Sequence, residues 1–181
     1  IPSRKETPRF FRGRQGRMDM TREDGEAIAP DAFCIRPAEE RDRAAIENIA
    51  QSAYAVYLER MDIKPFPMID DYGVHIRNGN ILVLEAAGRV EGYVVLLPRD
   101  KDTLLLDNIA VRPGSRGTGY GRALAGCAEE KARSLGCRRI QLYTNEVMTE
   151  NLAWYPRLGY TESHRCVEKG YRRVYFVKTL L

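Results

Sequence analysis

Cysteine, histidine and long apolar runs are scarce in this 181-residue chain, and each scarcity removes a class of protein. Cys34, Cys127, Cys137 and Cys166 are widely separated and form no Cys-x-x-Cys pair. With only His75 and His164 to join them, a zinc site is not expected. A domain of this length can build a sufficient core without disulfide staples, so reduced thiols are expected. Cys127 falls on the apolar side of a helical pattern, an unsuitable place for a nucleophile. No apolar run approaches the roughly 18 residues that would span a bilayer, and the first residues carry no apolar secretory stretch. The expectation is a soluble, cytoplasmic protein with no membrane partner. Repeats and low-complexity segments are also missing, which excludes solenoids and arrays.

Charge is present but unevenly placed. The net charge of +4 is concentrated in residues 1–17, where Arg4, Lys5, Arg9, Arg12, Arg14 and Arg17 face Glu6 alone. The remainder is therefore close to neutral, which argues against nucleic acid as a partner of the core. Residues 1–31 lack periodicity and read as a flexible basic tail, whose true start lies upstream or at Met18 or Met20; residues 32–181 read as one domain.

Within that domain, Phe33 to Arg36 reads as a strand, followed by a helix with an apolar stripe of Ile46, Ile49, Ala50, Ala53, Tyr54 and Tyr57. A proline-containing loop from Asp62 to Tyr72 leads into a short second helix ending near Gly79. Ile81 to Ala86 and Val90 to Leu97 read as a hairpin turning at Ala87, Gly88 and Arg89. Pro98 to Asp102 is expected to be a polar turn, and Leu104 to Val111 a third antiparallel strand. Next comes a helix from about Gly119 to Leu135, with Leu124, Cys127, Ala128, Ala132 and Leu135 on one face and Gly136 as its stop. A strand at Ile140 to Tyr143, a helix at Thr149 to Leu158 and two strands, about 160–167 and 172–179, complete the order β, α, α, β, β, β, α, β, α, β, β. This order predicts an α/β (α+β) fold, a mixed and mostly antiparallel sheet of about seven strands flanked by about four helices.

The most informative segment is Ile109-Ala-Val-Arg-Pro-Gly-Ser-Arg-Gly-Thr-Gly-Tyr-Gly-Arg122, an apolar strand running through a glycine-rich turn into a helix. Successive N–H groups at such a junction, together with the helix dipole, suit a phosphate. Arg112, Arg116 and Arg122 add positive charge. A dinucleotide fingerprint fails on spacing, because Leu124 or Arg122 stands where its third glycine belongs. A Walker loop fails because Tyr120 replaces the required Lys.

Arg116-x-x-Gly119-x-Gly121 directly after a strand ending at Val111 resembles the pyrophosphate-binding segment of the GNAT superfamily of acyl-CoA-dependent N-acetyltransferases. Glu150-Asn-Leu-Ala-Trp-Tyr-Pro-Arg-Leu-Gly-Tyr160 resembles the family's second recognisable stretch. The resemblance implies that Ile109, Ala110 and Val111 pair with the pantetheine arm of acetyl-CoA, in a wedge where their strand splays from that at Ile140 to Tyr143. It further implies that Arg116, Gly117, Thr118, Gly119, Tyr120, Gly121 and Arg122 surround the pyrophosphate. Asn151 bonds either coenzyme A or the neighbouring strand. Tyr155 is the implied general acid, a phenol able to protonate a departing thiolate, with plain packing beside Trp154 as the alternative.

In histone-type members a glutamate stands six residues before the position of Val111; here that residue is Leu105. Asp107, two residues on and expected on the same strand face, is the replacement base, with Glu85, Glu91 and His75 in reserve. A carboxylate that only anchors a loop is the equal alternative. The implied reaction is acetyl transfer from acetyl-CoA to a primary amine of a small molecule or protein by direct attack in a ternary complex. The alternative is a catalytically silent coenzyme A sensor, and homodimers are common among relatives.

Overall fold

The computed structural model describes residues 11–13 and 33–180. The strands are β1 (Phe11–Gly13), β2 (Phe33–Pro37), β3 (Ile81–Ala86), β4 (Arg89–Asp100), β5 (Thr103–Val111), β6 (Arg139–Asn145), β7 (Thr161–Glu168) and β8 (Tyr171–Thr179). The helices are α1 (Arg43–Tyr54), α2 (Tyr72–Arg77), α3 (Tyr120–Ser134) and α4 (Thr149–Arg157). All strands join one sheet in the order β1-β2-β3-β4-β5-β6-β8-β7, with β5–β6 its single parallel pair. Seven strands and four helices match the expected pattern; the three-residue β1 adds an eighth by pairing with β2. Part of the segment read as a tail thus joins the sheet edge, and the rest of residues 1–31 lies outside the described residues.

Two apolar layers sandwich the sheet. Ile46, Ile49, Ala50 and Ala53 of α1, with Tyr72 and Ile76 of α2, pack on Ile81, Val83, Val90, Tyr93 and Val95. On the other face, Leu124, Ala128 and Ala132 of α3 and Tyr155 of α4 pack on Leu84, Val94, Leu104, Leu106, Ile140, Leu142 and Phe176. The stripe expected on α1 is therefore its core face, whereas Leu135 is 54% exposed: it lies past the last turn of α3, beside the left-handed Gly136.

The β3–β4 hairpin turns on Ala87 and Gly88 with φ of +50° and +73°, a pair of left-handed residues that suits the sheet's twist. β4 then runs through Pro98 to Asp100, so the expected turn shortens to two residues, Lys101 and Asp102. Proline is tolerated because β3 pairs with β4 only as far as Val95, leaving the Pro98 segment at a local edge.

Of the four register shifts among the described strands, two, in the middle of β4 and of β5, reset the side-chain alternation beside the split between β5 and β6. Leu84 pairs with Gly92 and Glu85 with Val90, so Glu91 is an extra residue in β4. Val95 pairs with Asn108 and Leu96 with Leu106, so Asp107 is an extra residue in β5. Before the second bulge, Leu104 and Leu106 face α3; after it, Ala110 faces α1. A bulge bends its strand and re-aims a side chain, and here both extra residues are carboxylates.

Candidate active site

β5 and β6 pair only from Thr103 to Leu106 against Arg139 to Leu142. Beyond these four pairs the strands part, and a cavity of about 620 Å³ opens between the end of α1, the far half of β5, the α3 N-terminus and α4. Ile109, Ala110, Val111, Arg116, Gly117, Gly119, Tyr120, Gly121, Arg122 and Asn151 all line it, so most of the residues singled out in the sequence converge on one cleft.

The glycine turn is shaped by its backbone. Gly117 and Gly119 have φ of +84° and +88°, and Gly119, at the helix N-cap, leaves α3 without a side-chain cap. Ala123 donates to Gly119 O at 3.0 Å, so the N–H groups of the preceding first turn have no intrahelical acceptor. At Gly121 a Cβ would lie 3.4 Å from Trp154, which packs over the turn from α4.

Not every residue of the turn faces the cleft. Thr118 does not line the cavity; its Oγ1 donates to Ser115 O at 2.7 Å and braces the turn. Ser115 Oγ donates to Glu91 Oε2 at 2.6 Å. Arg112 likewise turns away, donating to Val90 O and lying 3.7 Å from Glu91. Arg116 Nη2 donates to Ala53 O, tying the turn to the end of α1.

A smaller cavity of about 50 Å³ adjoins the first and shares Tyr54, Ile109 and Asn151 with it. Here stands Asp107, whose Oδ1 accepts a 2.5 Å hydrogen bond from Tyr143 Oη of β6. Burial raises the Asp107 carboxyl above its ordinary pKa, opposed by the Tyr143 bond. The bulge means that Asp107 does not follow Leu105 by the expected two-residue alternation. The Arg173 guanidinium lies over the Tyr143 ring at 3.9 Å from its centroid.

Tyr155 lines this smaller cavity rather than the larger one. Its ring is 4% exposed and packs on Trp154, Tyr160 and Phe176. Burial raises its pKa, so the phenol stays protonated at neutral pH. Asn151 Nδ2 donates to Thr144 Oγ1 at 3.1 Å, the strand contact that was one of its two expected roles.

The reserve carboxylates and histidine are committed elsewhere. Glu85 accepts from Arg36, which also binds Asp42; Glu91 holds Arg89 and Ser115; His75 pairs with Asp70 at 3.1 Å. Burial pushes the Cys127 thiol up to about 11, consistent with an inert packing role. Among the described residues no cluster of three or more His, Cys, Asp or Glu could hold a metal, and no helix is long and apolar enough to cross a membrane.

The hydrogen bonds that join Tyr54, Tyr72, Tyr93 and Asn108 behind the smaller cavity are not legible in the sequence. Tyr72 Oη donates to Pro67 O at 2.7 Å, so its oxygen is left to accept from Tyr93 Oη and Asn108 Nδ2, both at 2.8 Å. Asn108 Nδ2 also donates to Tyr93 Oη, and Asn108 Oδ1 accepts from Tyr54. Every hydroxyl proton is used, which fixes the far half of β5 against α1 and α2. Met61, Pro65, Phe66 and Pro67 line the same cavity, and their segment is fastened by Arg60 to Glu150, by Tyr171 Oη to Lys64 O and by Gln51 to Met68 O. Tyr143, Arg173 and Tyr171 were also missed, because only the β6–β8 register brings them to the bulge.

Residues 34–160 match the model of the acetyltransferase (GNAT) family. The uncharacterised N-acetyltransferase YjgM of Escherichia coli (strain K12) is 30% identical over 142 residues, 74% of this chain and 84% of YjgM. Ard1 from Thermoplasma volcanium is similar in fold, with a TM-score of 0.67 and 18% identity across 82% of this chain and 98% of that one. So is yncA of Salmonella typhimurium, solved with its cofactor acetyl-CoA, with a TM-score of 0.63 and 20% identity across 82% and 94% of the two chains.

Proposed function

Because this chain belongs to the GNAT family of N-acetyltransferases, whose members use acetyl-CoA, we propose that it transfers an acetyl group from acetyl-CoA to a primary amine by direct attack in a ternary complex. The observation that carries this reading is the uncapped N-terminus of α3, which faces the same split in the sheet as the bulged Asp107.

The donor site is built largely of backbone. The free first-turn amides of α3 and the guanidinium groups of Arg116 and Arg122 receive the pyrophosphate. The edge of β5 from Ile109 to Val111, unpaired on the side that β6 has left, takes the pantetheine arm. Acetyl-CoA supplies an acetyl group already activated as a thioester.

Acid–base work falls to the smaller cavity. An alkyl ammonium has a pKa near that of lysine, about 10.4, and must lose a proton before it attacks. Asp107, oriented by Tyr143 and raised by burial, takes that proton, and the freed nitrogen lone pair then forms the C–N bond. An N–H at the open β5 edge meets the developing oxyanion. Tyr155 gives its proton to the thiolate released as the C–S bond breaks, and the second proton that the nitrogen sheds on becoming an amide restores the phenol.

Calorimetric titration of acetyl-CoA into the wild type, Gly119→Val and Gly121→Val tests the donor site. Gly119 is left-handed and Gly121 abuts Trp154, so each variant should bind about tenfold more weakly, the loss of one or two hydrogen bonds to a charged group. Unchanged affinity in both variants would remove the glycine turn from the site.

A further inference from the structure

The acceptor's chemistry is written in the charges of the smaller cavity. Among the described residues, only two side chains that line it carry a formal charge, Asp107 and Arg173; the others are neutral or apolar. Both are held against one phenol: Asp107 accepts from Tyr143 Oη, and Arg173 covers the face of the same ring. One charge thus sits at the hydroxyl of the ring and the other over its face. Arg173 is an unusual residue to find here, since its side chain is only 12% exposed and a guanidinium is costly to bury without anionic partners. Its ion pair among the described residues runs from Nη1 to Glu168 at 3.2 Å, and Glu168 is 46% exposed and also accepts from Tyr175. That contact engages one part of a fork with five N–H donors.

We propose that the acceptor is a small amine carrying a carboxylate a few bonds from its nitrogen, an amino-acid-like zwitterion. Its ammonium is read by Asp107 and its carboxylate by Arg173. This rests on the N-acetyltransfer reading and adds the substrate class to it. A polyamine or other dication would bring its second positive charge to Arg173, whereas a carboxylate there completes the guanidinium's charge-assisted bonds. Met61, Pro65, Phe66 and Pro67 give the cavity an apolar wall beside the two charges. On reaction, Asp107 takes one proton from the ammonium, the freed nitrogen bonds the acetyl carbon, and the C–S bond breaks to a thiolate that Tyr155 protonates; the nitrogen's second proton restores Tyr155, the carboxylate stays on Arg173 and the product is an N-acetyl acid.

The test compares matched pairs that differ only in the carboxylate: tyrosine with tyramine, histidine with histamine, lysine with cadaverine. The wild type should show kcat/KM at least tenfold higher for the acid in pairs that it accepts. Arg173→Gln should shrink that ratio at least tenfold, and Arg173→Lys should give an intermediate ratio. Equal or better use of the decarboxylated amines by the wild type, or an unchanged ratio in a folded Arg173→Gln, overturns the proposal. If Arg173→Gln does not fold, the wild-type ratio alone decides. Acetyl-CoA affinity is measured calorimetrically on the same samples. Loss of acetyl-CoA binding by the wild type would defeat the acetyltransfer reading itself. Acetyl-CoA binding without acetylation of any carboxylated amine would defeat the acceptor class alone.

Discussion

Asp107 owes its position to being surplus. A regular strand would have paired it across β4, but the bulge leaves it without a partner there, and Tyr143 meets it from the strand on the other side. Burial makes its ionised form costly, and a carboxyl whose folded pKa is raised lends its stability below the unfolded pKa and loses it as pH rises through the folded value. At neutral pH the ionised side chain is thus a net burden on the fold. Asp107→Asn, whose amide oxygen still accepts from Tyr143, should melt no lower than the wild type at pH 7 while losing about 10² or more in kcat/KM, the usual worth of a general base. The wild-type kcat/KM should fall as pH drops through the raised Asp107 pKa, and the variant's profile should lack that limb. Melting curves and pH–rate profiles check the two halves; a large drop in the variant's melting temperature would assign Asp107 a structural role. The residues legible in the sequence were those whose chemistry is local. Gly117, Gly119 and Gly121 announce a turn by their spacing, whereas Tyr155 is picked out only by the resemblance of its stretch to the family's. Tyr143 and Arg173 carry no such mark, because their meeting with Asp107 depends on how β6 lies between β5 and β8.

Among the elements, the helices and most strand boundaries followed from periodicity to within a few residues, since burial of one face imposes a repeat on the sequence. The bulges at Glu91 and Asp107 escaped notice because they break that repeat, and each is visible only as two residues facing one. Close approach is similarly hidden. Gly92, next to the first bulge, has Ala110 O at 2.9 Å and Leu124 Cδ1 at 3.0 Å from where a Cβ would sit. Gly126, in the interior of α3, has nothing within 4 Å. Gly92→Ala should therefore destabilise by about 1–3 kcal/mol through overpacking, whereas Gly126→Ala should stabilise by about 0.4–1 kcal/mol. Thermal or urea denaturation measures both, and equal shifts of one sign would show that packing at Gly92 relaxes freely.

At the scale of the whole molecule, the larger cleft is a seam between two halves of a sheet. One half contributes β5 and the start of α3, the other α4, so a ligand in the cleft touches both. Acetyl-CoA at about 100 times its dissociation constant should stabilise the native state by about 2.7 kcal/mol. For a protein of this size that is a rise in Tm of about 5–10 °C. Differential scanning fluorimetry reads it, and no rise at that excess would mean that the native state does not bind. Fold class was legible at this scale because the element order restricts the topology. The width of the seam was not, since nothing along the chain says where the ladder between β5 and β6 stops.

The same four-pair seam bears on how the molecule assembles. β3, β4 and β5 join through short hairpins, which close at little entropic cost, but β5 meets β6 only after the turn and the whole of α3 have been laid down. The β5–β6 ladder should therefore be the last zipped and the first to fray, with its amides exchanging hydrogen ahead of those in the β3–β4 hairpin. The crevice that admits the donor is then also the line along which the protein begins to come apart.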